Sequence, residues 1–135
     1  MQRFARLIPV LCLFAPALLS AQGAAPDKSS AGTVSEVQVQ RGAAAFRTVC
    51  STCHTAKQFV SPEFARTWSE KPVFDLFEQL RSTMPQDNPG KLTRQQYIDV
   101  ITYLFKSNGA ASGDQEIAAD DDALKQARVK LKTDG

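Results

Sequence analysis

Cys50-Ser51-Thr52-Cys53-His54 is the stretch on which the reading of this chain turns. One turn of backbone presents two thiols, and an imidazole follows directly. That spacing suits two thioether bonds to the vinyl groups of one haem, with the His54 ring beneath the iron as proximal ligand. Two blander readings compete. A thiol–disulfide pair of the Cys-x-x-Cys type sits at a helix N-terminus after a strand, whereas this pair follows a helical pattern. A structural zinc site needs four ligands, and beyond Cys12 the chain holds only Cys50, Cys53 and His54 of the usual kinds. Covalent haem attachment through Cys50 and Cys53 is the expectation, with thiol chemistry or a bound metal as the alternatives.

Working outward, Glu36–Val49 is predicted to be a helix. Ser35 stands at its cap, and Gln38 three residues on completes a capping-box pattern. Gly42 inside that helix costs roughly 1 kcal/mol relative to Ala, and close approach of another helix would offset this; Phe46 lies one turn along the same face. A second helix fits Pro72–Ser82. Proline suits its first turn, and Val73, Leu76, Phe77 and Leu80 form one apolar stripe. Met84-Pro85-Gln86-Asp87-Asn88-Pro89-Gly90 cannot continue a helix and must be a structured loop. A third helix starts at the capping-box pair Thr93 and Gln96 and stops near Asn108-Gly109. Its buried stripe is Tyr97, Ile98, Ile101, Leu104 and Phe105, widened by Val100 and Tyr103. Residues 110–135 carry Asp120-Asp121-Asp122 and then the apolar Leu124, Ala127, Val129 and Leu131, which suggests a short helix or strand folded over the domain. No run patterns as paired strands. The fold class is therefore all-α, with three main helices.

His54 is the sole histidine, and Met84 is the sole methionine apart from the initiator. One protomer has no second histidine for the other face of an iron. A thioether is a soft ligand that favours the reduced metal, so a His/Met pair raises the potential of an electron-transfer haem. A methionine at the end of an amphipathic helix ordinarily fills a core, but Met84-Pro85 opens a rigid loop, and Met84 is expected as the distal ligand. Trp68 is the sole tryptophan. Its indole N–H can donate to a haem propionate, and its competing role is core packing. Arg66 and Arg81 could also meet propionates, although a solvated helix face is the simpler reading of each. Pro62 lies in a loop that could supply a carbonyl to the second His54 nitrogen, a partner that stays unassigned.

At 135 residues, 43% hydrophobic and 8% aromatic, the chain suits one small domain. Residues 1–21 open with Arg3 and Arg6, run through the apolar Leu7–Leu19, which Pro9 and Pro16 interrupt, and close at Ser20-Ala21. This patterns as a cleaved signal peptide, short for a membrane span of about 20 residues; a retained anchor helix is the alternative. Cys12 lacks the small residues before it that lipidation requires. Residues 22–35 read as a flexible linker, 36–108 as the haem domain and 109–135 as a C-terminal tail. Cleavage would remove Arg3 and Arg6, and with them the formal charge of +2. A neutral remainder makes no case for nucleic acid or an anionic membrane surface. With Cys12 gone, no long-range disulfide can form within the chain, and a buried macrocycle would supply core that small exported domains often lack. The expected location is the periplasm, with no stable membrane insertion after cleavage.

The order Gly42-x-x-x-Phe46, Cys50-x-x-Cys53-His54, Met84-Pro85 and Tyr97-Ile98-Asp99-Val100-Ile101-Thr102-Tyr103-Leu104 resembles class I c-type cytochromes over residues 36–108. That resemblance implies a small fold of three main helices around one covalently attached haem c. It also implies that the first and last helices cross with Gly42 and Phe46 against Val100 and Tyr103. Thr102 stands where the family most often has Ala. Phe64-x-x-x-Trp68, Leu76-Phe77, Thr83 to Gly90, Leu92, Asn108-Gly109 and Gly113-Asp114 are similar, more narrowly, to the small cytochromes c associated with quinoprotein (PQQ-dependent) dehydrogenases. Ala111 departs from that branch, which often has Pro there. The association implies a type of partner, and the haem module itself is widely reused.

The resulting expectation is a periplasmic monohaem electron carrier, ligated by His54 and Met84, with a redox-protein donor and acceptor such as a quinoprotein dehydrogenase or a terminal oxidase. No paired acid and base, nucleophile triad or phosphate loop is present, so an enzyme is not expected. The alternative is a haem protein with an open sixth site that binds small gaseous ligands or peroxide, which requires Met84 to be off the iron. A thiol–disulfide protein using Cys50 and Cys53 is the third reading.

Overall fold

Two helices cross at a point where one of them has no side chain. The computed structural model describes residues 31–133; the signal peptide expected over 1–21 and most of the expected linker lie outside them. Helix α1 (Glu36–Val49) and helix α4 (Arg94–Ser107) have the boundaries that periodicity predicts, within a residue or two. At their crossing, a Cβ on Gly42 would lie 1.8 Å from the Asp99 carbonyl oxygen and 2.9 Å from the Tyr103 Cβ. Only glycine lets the backbones approach so closely. Phe46, one turn on, is buried against Val100 and Leu104, and its ring lies 5.6 Å from that of Tyr103. Thr102 is fully buried in place of the small residue expected there, and its hydroxyl donates to the Ile98 carbonyl at 2.8 Å. The helix itself thus satisfies the extra polar atom.

Helix α2 (Pro62–Trp68) is one that the sequence reading did not assign; Ser61 caps it by accepting from the Phe64 N–H, and Pro62 opens its first turn. Helix α3 (Val73–Thr83) begins one residue later than expected, with Pro72 at the cap position. Its Val73, Leu76 and Phe77 are buried, while Leu80 is half-buried. Between α2 and α3, Glu70 adopts a φ of 58°, and its N–H donates to the Val129 carbonyl at 2.9 Å. Thr93 and Gln96 make the capping box of α4 in both directions.

The capping box expected at α1 does not form. Ser35 sits at the cap position without capping through its side chain. Gln38 is fully buried and faces the C-terminal tail. Its Nε2 donates to the Ile117 carbonyl at 3.0 Å and its Oε1 accepts from the Ile117 N–H at 2.9 Å. A buried backbone pair without ladder partners needs such satisfaction, and this need outweighs a local cap that water can replace.

Two further expectations are corrected by a three-stranded parallel sheet in the order β2-β1-β3. Strand β1 (Ala31–Ser35) pairs with β2 (Ala111–Gly113) through Thr33–Ala111 to Ser35–Gly113, and with β3 (Arg128–Val129) through Ala31–Arg128 and Gly32–Val129. Residues 31–35 are thus a strand and not linker, and paired strands do occur. The main architecture stays all-α, since the strands are only two to five residues long.

The tail is part of the core. Helix α5 (Asp121–Gln126) is capped by Asp120, whose side chain accepts from the Ala123 N–H. Leu124, Ala127, Val129 and Leu131 are all buried, as is Ile117. Ala127 accepts from the Val73 N–H at 3.1 Å, and the Leu131 N–H donates to Ser69 Oγ at 3.0 Å. On the other side, Arg41 of α1 binds Asp99 of α4 with Nε at 2.9 Å and Glu116 of the tail with Nη2 at 2.6 Å. This pairing raises the Arg41 pKa above its already high value and holds the Glu116 carboxyl below its ordinary range.

Candidate functional site

The last turn of α1 tightens as it ends. The Cys50 N–H closes the helix on the Phe46 carbonyl, and Cys50–Thr52 continues as a 3₁₀ turn. The Cys50 carbonyl then accepts from both the Cys53 N–H (3.1 Å) and the His54 N–H (2.9 Å). Two thiols and an imidazole are therefore carried on one hydrogen-bonded turn. Both thiols are free; Cys50 is half-buried and Cys53 exposed. Burial pushes the Cys50 thiol pKa up.

Cys50, Cys53, His54 and Met84 all line one cavity of about 960 Å³. Much of the remaining wall is apolar, including Phe46, Leu76, Leu80, Leu92, Val100 and Leu104. The size lies at the upper end of cofactor pockets, roughly 300–1,000 Å³. The donor set is one imidazole, one thioether and two free thiols around a largely apolar space, which fits a covalently held haem and would leave its iron well screened from water.

Each donor is held by its surroundings. The His54 ring meets the Phe59 ring edge-on at 5.3 Å, and Phe59 in turn meets Phe46 at 6.1 Å. The backbone that carries Phe59 is clamped by Asn108, the cap residue of α4. Asn108 Nδ2 donates to the Phe59 carbonyl at 2.8 Å, and its Oδ1 accepts from the Ser61 N–H at 3.2 Å. Met84 ends α3 in extended backbone, and Pro85 after it prevents further helix. The Tyr97 hydroxyl donates to the Met84 carbonyl at 2.6 Å and accepts from the Gly90 N–H at 3.1 Å. Tyr97 is buried, with its ring 6.1 Å from that of Phe77.

Trp68 also lines the cavity, half-buried, with the Lys71 ammonium 5.5 Å from its ring centre. Arg66 and Arg81 do not line it. Arg81 binds Glu78 one turn back at 2.9 Å and holds that carboxyl below its ordinary range. The lysine on the cavity wall is Lys91, 3.7 Å from Asp87 in the same loop. Sequence reasoning missed Lys91 and the clamping roles of Asn108 and Tyr97. Lys91 follows no spacing rule, and Asn108 in the sequence is a helix stop and one residue of the family resemblance, neither of which indicates its partners. Among the described residues, no cluster of three or more His, Cys, Asp or Glu side chains forms a separate metal site, and no helix is long and apolar enough to cross a membrane.

Residues 37–104 match the family model described as cytochrome c oxidase, cbb3-type, subunit III. No curated protein and no solved structure gives a match.

Proposed function

We propose, from the premise that this chain belongs to the cytochrome c family described as cbb3-type cytochrome c oxidase subunit III, that it is a periplasmic carrier of single electrons. Membership makes it a class I c-type cytochrome that binds haem c covalently and acts in electron transfer. In the finer reading Cys50 and Cys53 would hold the haem through thioether bonds, His54 and Met84 would ligate its iron, and the indole N–H of Trp68 would donate to a propionate. It has one haem per chain, a signal peptide over 1–21, and a role in carrying electrons, not in turning over a substrate. The observation that carries it is the single cavity on which both thiols, the sole histidine and the only internal methionine converge.

The haem, when bound, supplies reversible one-electron chemistry at its iron. The chain's residues set the conditions for it. The apolar wall from Phe46 to Leu104 keeps water out, and this lowers the reorganisation that accompanies a change of charge. A Met84 thioether on the iron would favour the reduced state. Phe59, locked by Asn108, fixes the plane of the His54 ring, and Tyr97 holds the loop that begins at Met84. With His54 and Met84 both bound to it, the iron would offer no open position to a substrate, which disfavours a gas- or peroxide-binding role. Cys53, exposed at the cavity edge, marks where electrons enter and leave. The donor we propose is of the quinoprotein dehydrogenase type, on the strength of the Thr83–Gly90 and Asn108-Gly109 resemblance; the acceptor is of the terminal oxidase type, on the strength of the matched family.

Expression with a c-type maturation system and intact-mass analysis under denaturing conditions tests attachment. One haem mass should remain on the chain, and Cys50→Ala with Cys53→Ala should abolish it. A denatured chain without added mass would sink both haem readings and favour thiol chemistry.

A further inference from the structure

The Met84 side chain sits at the start of a loop that no secondary structure holds. The segment Met84–Gly90 contains two prolines and follows a helix end. A weak iron–thioether bond at such a place depends on what keeps the loop down. One side chain reaches both of its ends. Tyr97, buried on α4, donates its hydroxyl proton to the Met84 carbonyl and accepts from the Gly90 N–H. These are the first and last residues of the segment, so one hydroxyl closes it like a clasp. The Tyr97 ring is itself fixed against Phe77, and α4 is anchored to α1 through Gly42 and through Arg41–Asp99. The clasp therefore has a rigid base.

We propose that Tyr97 is the positioning residue for the distal ligand, and that its hydroxyl decides how readily Met84 gives way to an external ligand. This rests on Met84 being the sixth ligand. In the closed state the hydroxyl satisfies one carbonyl and one N–H at once. Its removal leaves two partly buried backbone groups unpaired, a state relieved when the loop opens to water. Tyr97→Phe keeps the ring and its packing, so it removes the clasp without opening a hole in the core. External ligand binding requires the open loop, and its apparent affinity scales with the open fraction.

The test is a titration of the ferric, haem-loaded protein with imidazole, followed by the Soret shift and by loss of the sulfur-to-iron charge-transfer band. Parent, Tyr97→Phe, Met84→Ala and the double variant are compared, with Gln38→Leu as a control that breaks a buried clasp far from the cavity. Tyr97→Phe should bind imidazole about tenfold more tightly than the parent. In the Met84→Ala background the same change should have almost no effect, because the hydroxyl acts through the methionine. Unchanged affinity in Tyr97→Phe would overturn the proposal. So would an equal gain in Gln38→Leu or in the Met84→Ala background, since either would mean general loosening. A parent that lacks the charge-transfer band fails earlier and differently: it removes Met84 as ligand, and the proposal with it, before any variant is compared.

Discussion

A Cβ on Gly42 would lie 1.8 Å from the carbonyl oxygen of Asp99, so α1 and α4 touch backbone to backbone. The contact positions the site, because α1 ends in the Cys50–His54 turn and α4 carries Tyr97 and Asn108. Neither neighbour can move aside cheaply: Asp99 is buried and held by Arg41 and by Gln95 Nε2 at 2.8 Å.

Gly42→Ala should therefore destabilise the protein despite the better helix propensity of alanine. Propensity favours alanine by about 1 kcal/mol, whereas forced overpacking against rigid backbone costs about 3 kcal/mol or more. Denaturant unfolding of the variant should show a net loss of at least about 2 kcal/mol, together with reduced haem retention during expression. A variant as stable as the parent would mean that the helices do not cross at this glycine.

The three long helices could be read from the sequence because each buries one face and repeats with the helical period. Val73, Leu76 and Phe77 on α3 and Ile98, Ile101 and Phe105 on α4 are all in the core. The Cys-x-x-Cys-His turn and Met84 were legible for a different reason, since their residue types are scarce in this chain. The remainder depends on contacts between distant residues. Gln38 forms a capping-box pattern with Ser35, yet its partner is Ile117, which no local rule indicates. Strands of two to five residues that pair in parallel across the length of the domain leave no alternation to detect. Tyr97 was visible as an apolar ring in a stripe, but the reach of its hydroxyl to Met84 depends on where the loop returns.

Acid should loosen the join between tail and core. The Arg41 guanidinium hydrogen-bonds Glu116 and holds its carboxyl below the usual value of 4.5. A depressed carboxyl takes up protons more readily in the unfolded chain, so its contribution is present above 4.5 and is lost as pH falls through the lowered value. The pair is partly exposed and screened, so the effect is modest. Unfolding midpoints of parent and Glu116→Gln, measured from neutral pH downward, should differ at neutral pH and converge in acid. A gap that stays constant with pH would rule the ion pair out as its cause.

Asn108 joins the end of α4 to the segment behind His54 through two hydrogen bonds, to the Phe59 carbonyl and from the Ser61 N–H, and also donates back to the Leu104 carbonyl of its own helix. Asn108→Leu leaves the Phe59 carbonyl and the Ser61 N–H without these partners and should cost about 2–3 kcal/mol, while the Leu104 carbonyl keeps the Asn108 backbone N–H. Because Phe59 packs on the His54 ring, the variant should also broaden or shift the haem-methyl resonances of the ferric protein in NMR spectra. Lost stability with unchanged resonances would make Asn108 purely a fold residue.

His54 and Met84 together are proposed to close the coordination of a covalently attached haem. The ferric absorption spectrum of the matured protein, recorded beside that of Met84→Leu, tests it most directly. The parent should show a low-spin spectrum with a sulfur-to-iron charge-transfer band, and Met84→Leu should lose that band. A high-spin parent spectrum, or a band that survives the substitution, would contradict it.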